Sequence, residues 1–265
     1  MINEVSRFYD LYSEENRLKA RRSRILERIT TLKYIQEFID SHSIIADVGA
    51  GTGVYIFELA QQTRFIIAVD LVEKHIDEIE KKVKDNAIGN ISTICTSATD
   101  LSSIGNEECD IVLCLGPMYH LQNKIDRLKC LNECSRILKK NGVLFVAYIN
   151  KITAMLYFIK NRKFLDTNVI DKIENEKYEE LKGFDTFLDI SHFTNPNEIE
   201  NEAKKCCLLV EKNIAADGIS YFISEQLEEM TMEEWNTYIK MHLDHCEDKN
   251  SFEMSMHGLM ICKKI

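Results

Sequence analysis

Gly49, Gly51 and Gly53 stand at every second position between the apolar run Ile44-Ile45-Ala46-Asp47-Val48 and an amphipathic run that begins at Val54. A buried strand, a turn that needs backbone freedom and a helix start, in that order, make a cradle for a nucleotide-like ligand. Missing side chains let the ligand lie against backbone N–H groups, and the helix start adds partial positive charge. The spacing departs from the dinucleotide fingerprint GxGxxG, and Asp47 sits two residues before the first glycine. A carboxylate there repels a pyrophosphate and suits an ammonium group. Asp70, with Leu71 after it, closes the second apolar run where a carboxylate can accept ribose hydroxyls. Thr99 and Asp100 follow the third run, placed for an adenine amino group, although Asp before a turn also serves local hydrogen bonds. Tyr119 and His120, just past the fourth run, and His192, ahead of a later helix, are the candidate proton acceptors. His120 fits a packing role equally well. His242, His245 and His257 show no metal-ligand spacing, and no metal is expected.

The elements that must position these residues alternate. Apolar runs at 44–48, 65–70, 91–95, 110–115 and 143–148 are separated by single helical patterns at 54–62, 75–86 and 125–139, the last ended by Asn141-Gly142. Such alternation predicts a parallel sheet covered on both faces, with the site at the carboxyl ends of the strands. Residues 4–40 carry apolar positions at three- and four-residue spacing and read as two capping helices. The alternation breaks over 151–189, which is helix-like and charged, and returns at Asn195-Pro196-Asn197-Glu198 with an N-cap, a first-position proline and an N3 glutamate. A sixth strand at 208–214, a helical stretch at 224–246 and a last strand at 259–262 complete the chain.

The expected fold is therefore α/β: a Rossmann-like, doubly wound, seven-stranded and mostly parallel sheet with an N-terminal helical cap and helical insertions. The expected division is a cap at 1–42, a core of 43–150, 191–218 and 257–265, and lid insertions at 151–190 and 219–256, all one structural unit.

Nine scattered cysteines without a CxxC pair, no hydrophobic leader and no long apolar run point to a cytoplasmic chain kept away from the membrane. A net charge of −10 disfavours nucleic acid, whose phosphates demand Lys and Arg. The one basic cluster, Lys19 to Arg24, reads as a solvated helix face.

Taken together, these motifs resemble the class I S-adenosylmethionine (SAM)-dependent methyltransferases of the small-molecule type. The resemblance rests on Asp47-Val48-Gly49-Ala50-Gly51-Thr52-Gly53, on Asp70, on Ala98-Thr99-Asp100, on the segment Asp110 to Leu121, and on Arg136 to Leu144 as a helix, turn and strand signature. It implies SAM as cofactor, with Gly49, Ala50 and Gly51 against its amino-acid part and Asp47 near its ammonium. Asp70 would hold the ribose, Thr99 and Asp100 would flank adenine, and Leu115 and Gly116 would lie near the sulfonium. Tyr12 and Thr31 of the cap would close over the methionine end. Amino-methylating DNA enzymes of the family carry Asn- or Asp-Pro-Pro-aromatic after the fourth strand, whereas this chain has Leu115-Gly116-Pro117-Met118. The expectation is methyl transfer to a small-molecule oxygen, nitrogen or sulfur by a monomer or homodimer. An NAD(P)-dependent oxidoreductase and a non-catalytic SAM-binding subunit are the alternatives.

Overall fold

Period-two alternation of apolar residues builds a two-faced sheet. In a computed structural model, which describes residues 5, 8, 9, 18, 20–164, 167–183 and 185–265, Ile45, Ile66, Ala68, Ile111, Leu113 and Phe145 pack on one face. Ala46, Val48, Ile67, Val69, Val112 and Leu144 pack on the other. Each such large aliphatic side chain contributes roughly 1.5–3 kcal/mol on burial, so the central strands are specified on both sides.

The described elements run α1 (Arg22–Gln36), β1 (Ile44–Val48), α2 (Ile56–Leu59), β2 (Phe65–Asp70), α3 (Glu73–Asp85), β3 (Ile91–Cys95), β4 (Cys109–Cys114), α4 (Lys124–Ile137) and β5 (Leu138–Ile149). Then come α5 (Lys151–Lys160), α6 (Thr167–Glu174), α7 (Thr186–Ile190), α8 (Pro196–Lys204), β6 (Leu208–Ala215), α9 (Ser224–Glu229), α10 (Met232–His245), α11 (Lys249–Met254) and β7 (His257–Lys264). The seven strands lie in the order β3-β2-β1-β4-β5-β7-β6. All neighbours pair in parallel except β7, which runs antiparallel to both β5 and β6. This is the expected Rossmann-like architecture.

Two sequence expectations change. The helix after the glycine turn is one short turn, Ile56–Leu59, instead of 54–62. The Asn141-Gly142 pair does not end a helix: β5 already begins at Leu138, and Asn141 takes a left-handed φ of 64° inside it. Of the N-terminal cap, α1 is present, while most of 4–17 lies outside the described residues. The helix at Pro196 starts as expected, with Asn195 Oδ1 accepting from Glu198 N at 3.0 Å and the Glu198 side chain reaching back to Asn195 N.

The long insertions attach through buried polar contacts. Arg127 of α4, 1% exposed, donates Nε and Nη2 to Glu202 of α8 at 2.8–3.1 Å and Nη1 to the carbonyls of Leu121 and Gln122. One guanidinium thus fixes the segment after β4 to the helix after the first insertion. Arg22, from the basic cluster, is no solvated residue. Its Nη1 donates to Leu227 O and Met230 O at 2.6 Å, and its guanidinium lies 5.4 Å from the Trp235 ring, stapling α1 to α9 and α10. Among the described residues no helix is long and apolar enough to cross a membrane.

Candidate active site

The glycine turn is held by its neighbours before any ligand arrives. Gly49 N and Ala50 N both donate to Val69 O, at 2.8 and 2.9 Å, and Gly51 N donates to Asp70 Oδ2 at 2.8 Å. Gly49 has φ +79°, and a Cβ there would come within 2.7 Å of Pro117 Cδ, so a side chain is barred by both backbone and space. Asp70 Oδ1 accepts from Val72 N at 2.8 Å and faces His75 Nδ1 at 3.1 Å. One carboxylate therefore braces the turn, starts α3 and orients an imidazole.

Asp47 is the unusual member. Its side chain is 1% exposed, and Oδ2 is buried without a hydrogen-bond partner. Burial, and then the charge of Asp70, push its carboxyl up to about 7. A buried carboxylate oxygen lacking a donor, beside a turn presenting backbone N–H groups, is the environment that a ligand cation relieves.

A cavity of about 640 Å³ opens at the carboxyl ends of the strands. Asp47, Gly49, Ala50, Gly51, Asp70 and Leu71 line one part, with Thr99, Leu115, Gly116, Tyr119 and His120 also on its surface. Four sequence candidates do not line it. Gly53 serves the turn with φ +86° and packs against Phe57. Asp100 points into its own turn, Oδ1 accepting from Ser102 N at 3.2 Å, so the local hydrogen-bond role prevails. Thr31 is buried within α1. His192 is buried under the segment after β4, its N–H donating to Tyr119 O at 2.6 Å and its Nδ1–H to Met118 O at 3.1 Å. Burial, then the charge of Arg127, hold the His192 imidazole down to about 3, so it stays neutral. Tyr12 lies outside the described residues.

His120 is built differently. Its Nδ1 meets the carbonyl of Ile190 at 2.9 Å, and a carbonyl only accepts, so Nδ1 carries the proton. The acceptor nitrogen is then Nε2, which lies 3.0 Å from the Tyr9 hydroxyl. No local spacing pairs positions 120 and 190, which sit on β4's exit and on the first insertion.

Other cavity residues carried no local signal. Tyr9 packs edge-on against both His75 and His120, at 5.1 and 5.7 Å between centroids. Arg24 of the basic cluster lines the cavity and does not belong to an exposed face alone. The insertions contribute Tyr157, Phe158, Phe164 and Tyr221, and Phe193 lines the cavity just past the first of them. His257 also lines the cavity, and among the described residues Glu27, Asp217 and His257 bring ligand-type atoms within 4.8 Å of one another, as do Cys114, Cys130 and Cys134. The helix-like character of 151–189 is legible in the sequence, but not the direction in which its aromatic residues face.

Residues 45–142 match the family described as "Methyltransferase domain". That stretch of the chain is similar to a methyltransferase domain. It spans β1 through the start of β5 and so contains the glycine turn, Asp70 and His120. Among curated proteins, the ubiquinone biosynthesis O-methyltransferase of Rickettsia canadensis (strain McKiel) is 31% identical over 127 residues, 46% of this chain and 51% of that protein. The chain thus spans about half the length of the curated relatives it matches. Solved structures extend the likeness beyond that stretch at the level of fold. A SAM-dependent methyltransferase from Methanosarcina mazei superposes with a TM-score of 0.61 at 14% identity, covering 88% of this chain and 97% of the other. A geranyl diphosphate C-methyltransferase from Streptomyces coelicolor A3(2) gives 0.57 at 12% identity, with 90% and 79% covered.

Proposed function

We propose that the protein transfers a methyl group from SAM to the oxygen, nitrogen or sulfur of a small-molecule acceptor. The observation that carries this reading is Asp47 Oδ2, buried and without a partner on the wall of the cavity, beside a glycine turn that is already braced. An ammonium group there would complete its coordination. In the same reading Gly49, Ala50 and Gly51 bring backbone to the amino-acid part of the cofactor, and Asp70 with Leu71 meets the ribose. Thr99 lies along the adenine edge, and Leu115 and Gly116 lie near the sulfur. Asp70 already accepts three internal hydrogen bonds, so the ribose would use the remaining lone pairs of its two oxygens.

When bound, the cofactor supplies an already activated methyl group. The chain's part is to align the acceptor, exclude water and take up a proton where the acceptor releases one. His120 Nε2, beside the Tyr9 hydroxyl, and Tyr119 are placed on the cavity for the last task. Residues 151–190 and 219–256 form a lid over the core, and the overall acidity directs the site toward metabolites and away from nucleic acid. A monomer or homodimer in a reducing, cytoplasmic setting suits nine thiols, none of them paired.

Titration calorimetry with S-adenosylhomocysteine and, separately, NAD tests the reading. Binding of the first and not the second is expected, and the opposite result overturns it. Incubation of metabolite pools with isotopically labelled methyl donor then identifies the acceptor.

A further inference from the structure

The carboxyl edge of the sheet bears a second imidazole, assembled from three distant parts of the chain. β7 runs antiparallel to β5, so its first residue, His257, pairs with the last residue of β5, Ile149, at the edge where the parallel strands end. β6 runs parallel to β5 and delivers Asp217 two residues past its own end. There His257 Nδ1 lies 2.6 Å from Asp217 Oδ2, and His257 N donates to Asp217 Oδ1 at 3.0 Å. The Ser255 hydroxyl donates to Asp217 Oδ1 at 2.6 Å, while Ser255 Oγ accepts from Gly218 N at 2.8 Å. Asp217 is fully buried, and Glu27 of α1, also buried, places Oε2 3.6 Å from the same Nδ1. On the cavity side the His257 ring packs against Tyr221 and Tyr119, with centroids 5.4 and 5.7 Å away.

Resting on the methyltransferase reading, we propose that His257, whose Nδ1 meets a buried carboxylate where that of His120 meets the Ile190 carbonyl, is the general base of the reaction in place of His120 and Tyr119, with Asp217 as its positioning residue, and that the acceptor is an aromatic hydroxyl compound. A carboxylate only accepts, so the contact to Asp217 puts the proton on Nδ1 and leaves Nε2 as the basic nitrogen of the neutral ring. In the transfer, the acceptor oxygen forms a bond to the methyl carbon as the carbon–sulfur bond breaks with its electron pair remaining on sulfur. The hydroxyl proton passes to His257 Nε2. Asp217 and Glu27 stabilise the resulting imidazolium, as a buried carboxylate does behind any catalytic histidine. The acceptor class follows from the wall: Tyr119, Tyr221, Tyr157 and Phe158 offer ring edges and faces to an aromatic body, which a short aliphatic acceptor would leave unfilled.

A carboxylate beside an imidazole favours the imidazolium, and His242 and Tyr238 of α10 lie within electrostatic reach of Asp217. Asp217→Asn should therefore lower the His257 pKa, read by ¹⁵N NMR of the ring in cofactor-free protein, and move the alkaline-rising limb of turnover to lower pH. His257→Gln should bind S-adenosylhomocysteine like the parent yet lose about 10²–10⁴-fold in turnover with phenols that are protonated at the assay pH. With an acidic phenol already ionised at that pH, the loss should shrink to a few-fold. An equal loss on both phenols, no loss on either, or turnover that requires a divalent metal and ceases with a chelator overturns the proposal. If the parent protein binds no S-adenosylhomocysteine, the methyltransferase reading itself has failed. The NMR titration still judges the dyad, because a His257 ring with Nδ1 unprotonated, or a pKa indifferent to Asp217→Asn, overturns it alone.

Discussion

The two halves of the cavity are made in opposite ways. On the β1–β2 side, the wall consists of consecutive residues, 47–51, and one aspartate from the neighbouring strand, tied together by backbone hydrogen bonds of 2.8–2.9 Å. On the β5–β7 side, every chemically active group comes from a different stretch: Glu27 from α1, His120 after β4, Asp217 after β6, His257 on β7. The first half offers backbone, which any sequence supplies once glycine permits the shape. The second offers side chains, whose identity depends on which distant elements the insertions bring together. Under the proposed methyl transfer, the first half would hold the cofactor and the second the acceptor.

The largest effect is expected at the Arg127–Glu202 pair, which joins the helices leading into β5 and β6. Glu202→Gln leaves the Arg127 guanidinium buried with only part of its partners, and loss of one member of a buried pair costs about 3–5 kcal/mol of stability. Denaturant unfolding should show that loss, while S-adenosylhomocysteine affinity of the folded protein, which depends on the β1–β2 side, stays within about twofold of the parent, well inside one unit of RT-scale variation. A large loss of affinity would mean that the halves are not independent.

Asp70→Ala should weaken S-adenosylhomocysteine binding by about 2–4 kcal/mol, the scale of several charge-assisted hydrogen bonds. Because Asp70 also braces Gly51 N, a lower melting temperature of the ligand-free protein should accompany it. Unchanged affinity would place the ribose elsewhere.

Asp47 gives the donor side its own pH signature. Its folded-state carboxyl titrates near 7, above the ordinary value of 3.8, so the folded state binds more protons than the unfolded between those values. Stability of the ligand-free protein should fall as pH rises from about 4 to 7, and Asp47→Asn should remove that slope, adding up to about 4 kcal/mol at pH 8. Cofactor affinity should instead strengthen over the same rise in the parent and lose this dependence in the variant. His192 slopes the other way: held down to about 3, it favours the folded state above its ordinary value of 6.5 and withdraws that support as pH falls toward 3. Melting curves of both single variants separate the two slopes.

The smallest effect is expected at Asp100. Its carboxylate is engaged with Ser102 N in an exposed turn and does not line the cavity, so Asp100→Ala should leave S-adenosylhomocysteine affinity unchanged in calorimetry. A clear loss would extend the cofactor wall beyond Thr99.

Legibility followed the same division. β1 and β2 begin and end where the apolar runs do, because strands buried on both faces are continuous in sequence, and the half-buried edge strand β3 keeps the bounds of its own run. The capping box at Asn195 was readable because all its partners lie within one turn. The length of the helix after Gly53 was not: four residues are helical, and tertiary packing of Tyr55 and Ile56 settles the rest. His192 stands second to His120 as a candidate from its neighbours alone, and the structure seals it beneath Met118 while His120 reaches the cavity.

By itself, the sequence determined the strand–glycine–helix order, the carboxylates at 47 and 70 and hence the kind of ligand the turn can hold, since a backbone cradle needs only neighbours along the chain. Only the tertiary structure decided which histidines face the cavity. The antiparallel course of β7 returns His257 to the carboxyl edge beside Asp217 and Glu27, a meeting of three segments that no local spacing encodes.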